Sequence, residues 1–449
     1  MADVETPLPV GPLRRSADGS PSNDPPGSRP RGRDSELFSA LCNNLTITPC
    51  EPSVPATTPA FTTAPAPAIP DSRRLASIDL LRGTVMLLML LDHVRETFCL
   101  HHQVSDPMDV ATTSPGLFLC RLLAHLCAPV FVLLTGISAW LYGSRKPDPR
   151  RAASAFLFKR GLFLVALELT LVNFAWTFQF PPDVVYLQVI WAIGLSMLAL
   201  SLLLWLPRAA LAALGLAIIL GHNLLDGVSV AGNGAAHVLW AVLHERGWIE
   251  FGDALRLRTS YPLLPWIGVI AVGYAMGPWF GAGVAPRTRH RRLLAAGLGA
   301  LAAFALLRWI NVYGDTPWAP QADVLRSWMS VFNVTKYPPS LLFLLLTLGI
   351  GLCLLRLYES AQVTRWLRPL AAIGAAPMFF YLLHLYVLKV LYIAAVALWG
   401  HNHGAYFGVD GIGAMLAITA VLALALYPPV VAFARFKARR RDLAWLRYL

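Results

Sequence analysis

The first long apolar stretch of the chain, residues 75–98, contains, besides Glu96 at its outer end, five titratable side chains where a helix facing lipid should have none. They are Asp79, Arg82, Asp92, His93 and Arg95. A charge at membrane depth is costly unless it is paired or faces a water-filled cavity. A neutral imidazole can remove a proton from a nucleophile near pH 7. The stretch is therefore a candidate site for acid–base chemistry inside a membrane.

Helical geometry sorts these side chains by face. At about 100° per residue, positions eleven apart return to within about 20° of the same direction, so Arg82 and His93 share one stripe about 16 Å apart. Asp79 lies near that stripe, one turn before Arg82, and Asp92 points elsewhere. Asp79 and Arg82 are three residues apart, a spacing that allows a helical ion pair. Such a pair could simply neutralise two charges in a helix bundle, so a structural role is the alternative to a functional one.

The composition predicts a membrane protein. Hydrophobic residues make up 56% of the 449 residues and charged residues only 14%, whereas soluble domains carry about 25% charged residues. Ten apolar stretches are long enough to span a bilayer: 75–99, 116–142, 152–178, 184–205, 208–226, 261–281, 291–312, 338–358, 370–398 and 411–434. We therefore expect an all-α, polytopic helical bundle with about ten transmembrane helices.

Lys and Arg alternate between the two sides of this arrangement. With the N-terminus in the cytoplasm, the inner segments hold most of them, and the outer loops at 100–115, 179–183 and 399–410 hold none. The positive-inside rule then predicts that both termini are cytoplasmic. The same distribution explains the net charge of +12, so the charge does not indicate a nucleic-acid partner.

Two tails flank the apolar region. Residues 1–70 hold 14 of the 34 prolines and many Ser, Thr and Ala residues. Such a segment cannot bury enough apolar surface to fold, which predicts a disordered cytoplasmic tail. We assign 71–435 to the membrane domain and 436–449 to a basic cytoplasmic tail.

Five short motifs occur in order along the chain. Residues 77–83 read SIDLLRG and residues 91–95 read LDHVR; an Asp-Pro pair at 106–107 precedes APVFV at 128–132, and APMFFYLLH occupies 376–384. Together they resemble the membrane acyltransferase superfamily, which includes the acyltransferase-3 proteins. The more specific similarity is to bacterial relatives of heparan-α-glucosaminide N-acetyltransferase, over about residues 74–435.

This resemblance implies an acyltransferase of the cell (inner) membrane. Its donor would be cytoplasmic acyl-CoA, with acetyl-CoA as the default. Its acceptor would be an amino or hydroxyl group of a sugar or glycan on the extracytoplasmic side. The implied partners are acyl-CoA, that acceptor and the lipid bilayer.

The resemblance also implies roles for single residues. His93 is the candidate catalytic base, Arg82 orients the donor or its acyl carbonyl, and Asp79 holds Arg82. His384 belongs to the late motif and ranks next after His93.

One position departs from the family pattern. The eukaryotic enzyme has Asn where His93 falls, and its catalytic His lies further along the chain, in the region of His101 and His102. These two histidines are therefore the alternative bases. No further ligand spacing accompanies them, so we expect no metal site.

Residues 143–160 are the candidate binding site for the CoA phosphates. Arg and Lys bind phosphate well, and this segment holds Arg150, Arg151, Lys159 and Arg160. The alternative is that these residues only obey the positive-inside rule. The chain has no Walker or GxGxxG loop that would bind a nucleotide through its backbone.

A secondary transporter or a lipid or glycan flippase is the alternative function. Ten spans with ionisable groups near the midplane would suit it too. Transporters often have two similar halves, but the DxxRG and DHxR patterns do not recur in the second half of this sequence.

Other polar residues in apolar stretches are second-tier candidates. They are Arg121 and His125, Glu168, for which we expect an ion pair with an intramembrane Arg or Lys, and Lys389. Outside the spans, residues 235–250 are amphipathic. This segment would either lie in the membrane interface or cover a substrate cleft.

Overall fold

The computed structural model describes residues 76–102, 104–252, 255–440 and 442–447. This part of the chain is mostly helical, at 70%. Its helices are α1 (Ala76–Phe98), α2 (Pro115–Ala124), α3 (Cys127–Gly143), α4 (Pro149–Leu167), α5 (Asn173–Thr177), α6 (Val189–Leu203), α7 (Arg208–Gly221), α8 (Ala235–Leu243), α9 (Leu264–Met276), α10 (Pro286–Ile310), α11 (Val324–Phe332), α12 (Leu341–Leu357), α13 (Ala361–Trp366), α14 (Arg368–Ala375), α15 (Pro377–Trp399) and α16 (Ile412–Arg439). Its strands are β1 (Val184–Leu187), β2 (Gly247–Phe251) and β3 (Leu255–Thr259).

Several helices are suited to crossing a membrane. In the described part of the chain, five are long and apolar enough: Pro115–Gly143, Arg208–Leu225, Pro286–Ile310, Pro377–Trp399 and Ile412–Arg439. Three more, which include α6 and α12, are apolar but shorter. The expectation of a mostly helical, multi-pass membrane protein is thus confirmed, whereas the count of ten spans stays a prediction.

Both predicted tails lie partly or wholly beyond this description. The tail predicted at 1–70 lies outside the described residues. At the other end, α16 continues to Arg439, and a short 3₁₀ turn follows at Ala444–Arg447.

Three predicted spans are interrupted. The stretch 370–398 divides into α14 and α15 at Pro377, because proline has no N–H to donate within a helix. The stretch 116–142 divides into α2 and α3, and His125 lies between these two helices. A π-helical turn, Glu168–Val172, joins α4 to α5. Such turns widen a helix locally and often occur at functional sites.

A three-stranded sheet departs from the all-α expectation. β3 lies in the middle, parallel to β1 and antiparallel to β2. Each strand has only four or five residues, so the longer apolar stretches beside them mask the alternating pattern that is typical of strands. The first strand takes up the start of the predicted span 184–205, and α6 begins after it.

The sheet has two different faces because side chains alternate along each strand. Val185, Ile249 and Leu257 pair across it, and the first two are buried in the core. The opposite face carries Tyr186 and Trp248 on either side of Arg258. The segment 235–250, predicted as one amphipathic piece, therefore divides into α8 and part of this sheet.

The first helix, α1, packs against α14, α15 and α16 and also contacts α2, α3 and α12. Near its start, glycine permits a close approach: a Cβ added to Gly83 would overlap the backbone of Leu370, and one added to Gly374 would overlap the backbone of Asp79. The N-terminal part of α1 is therefore fixed directly against the backbone of α14.

Candidate active site

The candidate base His93 lies against His384, which α15 supplies. The Nδ1 atom of His93 is 2.7 Å from Nε2 of His384, and the two rings are stacked with centroids 5.0 Å apart. The Nδ1 atom of His384 is 2.7 Å from the carbonyl oxygen of Phe380. The structure thus brings together two histidines that are 291 residues apart in sequence.

These contacts fix which nitrogen carries the proton on each ring. A carbonyl oxygen only accepts, so Nδ1 of His384 must donate to Phe380, and its Nε2 is left as an acceptor. Nδ1 of His93 then donates to that Nε2 atom. In the neutral state, Nε2 of His93 consequently carries a lone pair, which is the form that a general base requires.

His93 lines a cavity of about 560 Å³. Along α1 the wall includes Met86, Met89, His93 and Glu96, the positions that follow Arg82 at helical spacing. The part of the predicted stripe that follows Arg82 therefore faces the cavity. Arg82 lies one turn before Met86 and is not among the lining residues.

The inner pair, Asp79 and Arg82, has the predicted helical contact. Nη1 of Arg82 is 3.4 Å from Oδ1 of Asp79, and Arg82 also donates to the hydroxyl of Ser138 on α3. The side chain of Arg82 is 21% exposed. This geometry fits a positioning contact between α1 and α3.

A network of buried charges lies beside His93. Arg95 Nη2 is 3.0 Å from Oδ1 of Asp92, and Arg121 Nη1 is 3.3 Å from Oδ2 of the same carboxylate. Lys336 Nζ is 4.0 Å from Oδ2 of Asp92. Glu96 joins through Arg95 at 3.2 Å. Asp92 was expected to point away from the stripe, yet it lines the same cavity, because the cavity extends around α1.

The sheet closes another part of the cavity with its polar face. Tyr186, Trp248, Arg256 and Arg258 all line the wall. The guanidinium carbons of Arg256 and Arg258 lie 4.5 and 4.7 Å from the Trp248 ring centroid. Both cations are held in place by packing on the same aromatic ring.

The cavity wall is strongly basic. Its charged members are six cations and two carboxylates: Arg95, Arg160, Arg246, Arg256, Arg258 and Lys336, with Asp92 and Glu96. A cavity with this excess of positive charge favours an anionic ligand, since cationic side chains bind phosphate and carboxylate groups.

The four residues predicted for CoA binding are only partly brought to this cavity. Arg160 lines it, whereas Lys159 is exposed. Arg150 and Arg151 are exposed in the first turn of α4, where Asp148 caps the helix by accepting from the backbone N–H of Arg151. The cavity therefore meets α4 near its middle and leaves the start of the helix outside.

The alternative bases lie outside the cavity. His101 and His102 follow the end of α1, and neither is a lining residue of the large cavity. The His101 ring is stacked on His403, with centroids 3.7 Å apart.

The second-tier residues Arg121, His125 and Glu168 lie in different environments. Arg121 is buried and belongs to the charge network, whereas His125 packs edge-on against Phe343. The expected ion pair of Glu168 is wrong: within the described residues its carboxylate accepts from the backbone N–H of Trp191 at 3.0 Å and has no cationic partner. The π-helical turn begins at Glu168 and aims this side chain at the start of α6.

Sequence reasoning missed several cavity residues. Arg246, Arg256 and Arg258 looked like ordinary charges of an outer loop, as did Lys336. The alternation of Leu and Arg in residues 255–258 was the available signal for a strand with a basic face. No comparable signal marks Lys336.

The comparison with protein families agrees with this arrangement. A family model described as heparan-alpha-glucosaminide N-acetyltransferase, catalytic, matches residues 74–310, which is more than half of the chain. The chain belongs to this family. No curated protein matches it.

Membership of the heparan-alpha-glucosaminide N-acetyltransferase family confirms the resemblance that the sequence motifs indicated. The family implies a transmembrane acetyltransferase that acts on glycan. The matched range contains Asp79, Arg82 and His93, whereas His384 lies beyond it, so the involvement of His384 rests on its contact with His93.

Proposed function

We propose that this chain moves an acetyl group from cytoplasmic acetyl-CoA to an amino or hydroxyl group of a sugar presented on the extracytoplasmic side. The observation that carries the proposal is the hydrogen-bonded pair of His93 and His384 at the cavity. In a glycan acetyltransferase family, such a pair supplies the proton acceptor that acyl transfer needs.

In this scheme Nε2 of His93 is the general base. It takes the proton of the acceptor amine or hydroxyl while the acceptor nitrogen or oxygen attacks the carbonyl carbon of the thioester. A C–N or C–O bond forms, the C–S bond breaks, and the proton passes from His93 to the departing thiolate to give the free thiol of CoA. His384 fixes the tautomer of His93 without touching the reacting atoms.

We place the donor at the part of the cavity where Arg160 lies, since a guanidinium binds phosphate. Arg150, Arg151 and Lys159 are on the same helix, α4, and would meet the outlying phosphates of CoA as it enters from the cytoplasm. The family's donor in general is acetyl-CoA, and these four cations suit its charge.

Arg82 and Asp79 complete the donor side of the proposal. Arg82 continues the stripe that carries His93, and we assign it the orientation of the donor. Its contact with Asp79 at 3.4 Å supports a holding role for that carboxylate.

We place the acceptor against the sheet. Arg256 and Arg258 would bind an anionic group on the sugar, and the Trp248 ring, on which both guanidiniums pack, would hold them at the cavity wall. Arg246 lies over the Tyr337 ring at 5.1 Å and adds a further cation next to an aromatic surface. A negatively charged sugar is therefore the acceptor class that this wall favours.

The remaining parts of the proposal concern the membrane. We propose ten spans, cytoplasmic termini and residence in the inner membrane, with the membrane domain at 71–435 between tails at 1–70 and 436–449. The alternation of Lys and Arg between successive loops supports this topology.

The test is release of CoA thiol by the purified full chain in detergent. Acetyl-CoA is supplied with a panel of amino sugars and hydroxyl sugars, each with and without a carboxylate or sulfate group. We expect thiol release that depends on the acceptor and is lost in His93→Ala.

The matched controls distinguish the alternative bases and functions. His401→Ala, an exposed histidine of the loop 400–411, should keep full activity. Full activity in His93→Ala combined with loss in His102→Ala would transfer the role of base to the outer pair. Absence of thiol release with every acceptor, together with sugar flux in vesicles, would favour the transporter instead.

A further inference from the structure

A second group of potential ligands lies away from the cavity and beyond the proposed acetyl transfer. It consists of His101, just after α1, and of His403 and Asp410 in the loop 400–411 between α15 and α16. Their ligand atoms all lie within 4.8 Å of one another. His101 and Asp410 are 309 positions apart in sequence, which is why no ligand spacing was visible there.

The distances within this cluster match those between ligands of one metal ion. Nε2 of His101 and Nε2 of His403 lie 3.3 and 3.4 Å from Oδ1 of Asp410. Two ligands bound tetrahedrally to zinc at about 2.0 to 2.1 Å are about 3.3 Å apart. A charge-assisted hydrogen bond is normally shorter, at about 2.7 to 2.9 Å.

The loop that carries two of these ligands is held by its own hydrogen bonds. The side chain of Asn402 accepts from the backbone N–H of Gly408 at 2.8 Å and donates to its carbonyl oxygen at 2.9 Å. The N–H of Val409 donates to the carbonyl of Phe98 at the end of α1, at 2.9 Å. The ligands are therefore presented by a loop that is tied to α1 before any ion binds.

Gly408 also makes room for the cluster. A Cβ at this position would overlap the ring of His101 and would lie 3.0 Å from the ring of His403. The stacked imidazoles therefore need a residue without a side chain beside them. A recess lined by Cys99, His101 and His102 adjoins the cluster and offers a path by which an ion can reach it.

We propose that His101, His403 and Asp410 bind a divalent transition metal of the zinc class, with the two Nε2 atoms and the carboxylate as ligands. Two imidazoles and one carboxylate suit zinc, whereas magnesium and calcium prefer oxygen ligands alone. Because the rings are parallel within 2°, binding would tilt them so that both lone pairs point at one ion. Water would fill the remaining position.

The proposed metal would not contact the reacting atoms of the acetyl transfer. It would link the outer end of α1, which carries His93, to the loop that follows α15, which carries His384. The metal would therefore hold the outer ends of the two helices whose histidines form the hydrogen-bonded pair His93–His384, and its ligands would be positioning residues. The inference concerns metal binding itself and does not require that the proposed acetyl transfer is correct.

The test is metal binding to the purified full chain, prepared without a polyhistidine tag and stripped with a chelator. Zinc is added, and binding is measured by calorimetry and by elemental analysis after desalting. We expect one zinc per chain and a rise in thermal unfolding temperature, neither of which magnesium should reproduce. His403→Ala and Asp410→Asn should both lose the bound zinc; Asp410 is 74% exposed, so its variant should fold.

Two matched variants keep the result specific. His102→Ala and His401→Ala remove neighbouring histidines outside the cluster and should retain zinc. Undiminished zinc binding in both His403→Ala and Asp410→Asn would overturn the proposal, as would failure of the wild-type chain to bind zinc at all.

Discussion

The helix α1 carries the same ion-pair spacing twice, in two different settings. Near its start Asp79 and Arg82 are three residues apart, and near its end Asp92 and Arg95 repeat the interval, with N–O distances of 3.4 and 3.0 Å. Arg82 reaches Ser138 and is partly exposed. The outer pair is buried in a network next to the cavity.

The two pairs have different surroundings. Around the inner pair, α1 packs on the backbone of α14 through Gly374. Around the outer pair, Arg121 and Lys336 add two cations to the carboxylate of Asp92. An identical local pattern can therefore be a packing contact in one turn of a helix and part of a site in another, depending on what other elements bring to it.

Replacing Asp92 should show the largest difference in stability between the two ion pairs of α1. Asp92→Asn would leave Arg95, Arg121 and Lys336 without their shared carboxylate. Breaking a buried pair in this way costs about 3 to 5 kcal/mol. We expect a marked fall in the thermal unfolding temperature in detergent. The isosteric change Asp79→Asn is the matched control and should have a much smaller effect; equal losses in the two variants would contradict the comparison.

Replacing His384 tests its hydrogen bond to His93. His384→Phe removes the acceptor for Nδ1 of His93, so His93 can adopt the wrong tautomer. Because a general base contributes about 10² to 10⁴ in rate, we expect a loss of kcat of at most that size, with little change in KM. The measurement is initial-rate kinetics of thiol release across pH. A wild-type pH profile and kcat would leave His384 as a packing residue.

Replacing Arg82 tests the inner region. Because Arg82 is only partly buried, Arg82→Ala should lower stability by less than the about 3 to 5 kcal/mol expected for a fully buried pair. If Arg82 orients the donor as proposed, KM for acetyl-CoA should rise while KM for the acceptor stays constant. Unchanged donor kinetics would restrict Arg82 to its contacts with Asp79 and Ser138.

The smallest expected effect concerns the segment 235–251, which supplies Arg246 and Trp248 to the cavity wall. Both ring nitrogens of His237 face carbonyl oxygens, those of Val230 at 2.7 Å and Trp248 at 3.0 Å. These hydrogen bonds raise the pKa of His237, because only the imidazolium can donate from both nitrogens. The resulting stability is present at acidic pH and is lost as the pH rises through the raised pKa.

Hydrogen exchange can measure this effect. Protection of residues 235–251, corrected for intrinsic exchange, should fall as the pH rises above about 6.5, the usual pKa of histidine. His237→Phe should abolish the trend, while His401→Phe should preserve it. A pH-independent wild-type segment would show that the imidazolium contributes nothing there.

The sequence predicted most of the helices but not the short strands or many of the side-chain contacts. Long apolar runs identified the positions of the helices, and helical periodicity placed His93 above Arg82 on one stripe. The three short strands were missed because alternation over only four or five residues is a weak signal.

The sequence could not predict those contacts of the site that join residues far apart along the chain. The late motif drew attention to His384, but its pairing with His93 depends on how α15 packs against α1. Lys336 is indistinguishable from a solvated loop lysine until the loop folds onto Asp92. For Glu168, a charged partner was the reasonable expectation, and a backbone N–H took its place.

The shortness of α6 has a consequence for the distance that the acetyl group travels. Its 15 residues rise about 22 Å at about 1.5 Å per residue, whereas the hydrocarbon core of a bilayer is about 30 Å thick. Ile190, Ile193 and Met197 of this helix line the cavity. The helix is thus about 8 Å shorter than the hydrocarbon core is thick. In the proposed transfer, a short wall of this kind beside the cavity would leave the phosphates of the donor and the sugar chain of the acceptor in water on opposite sides.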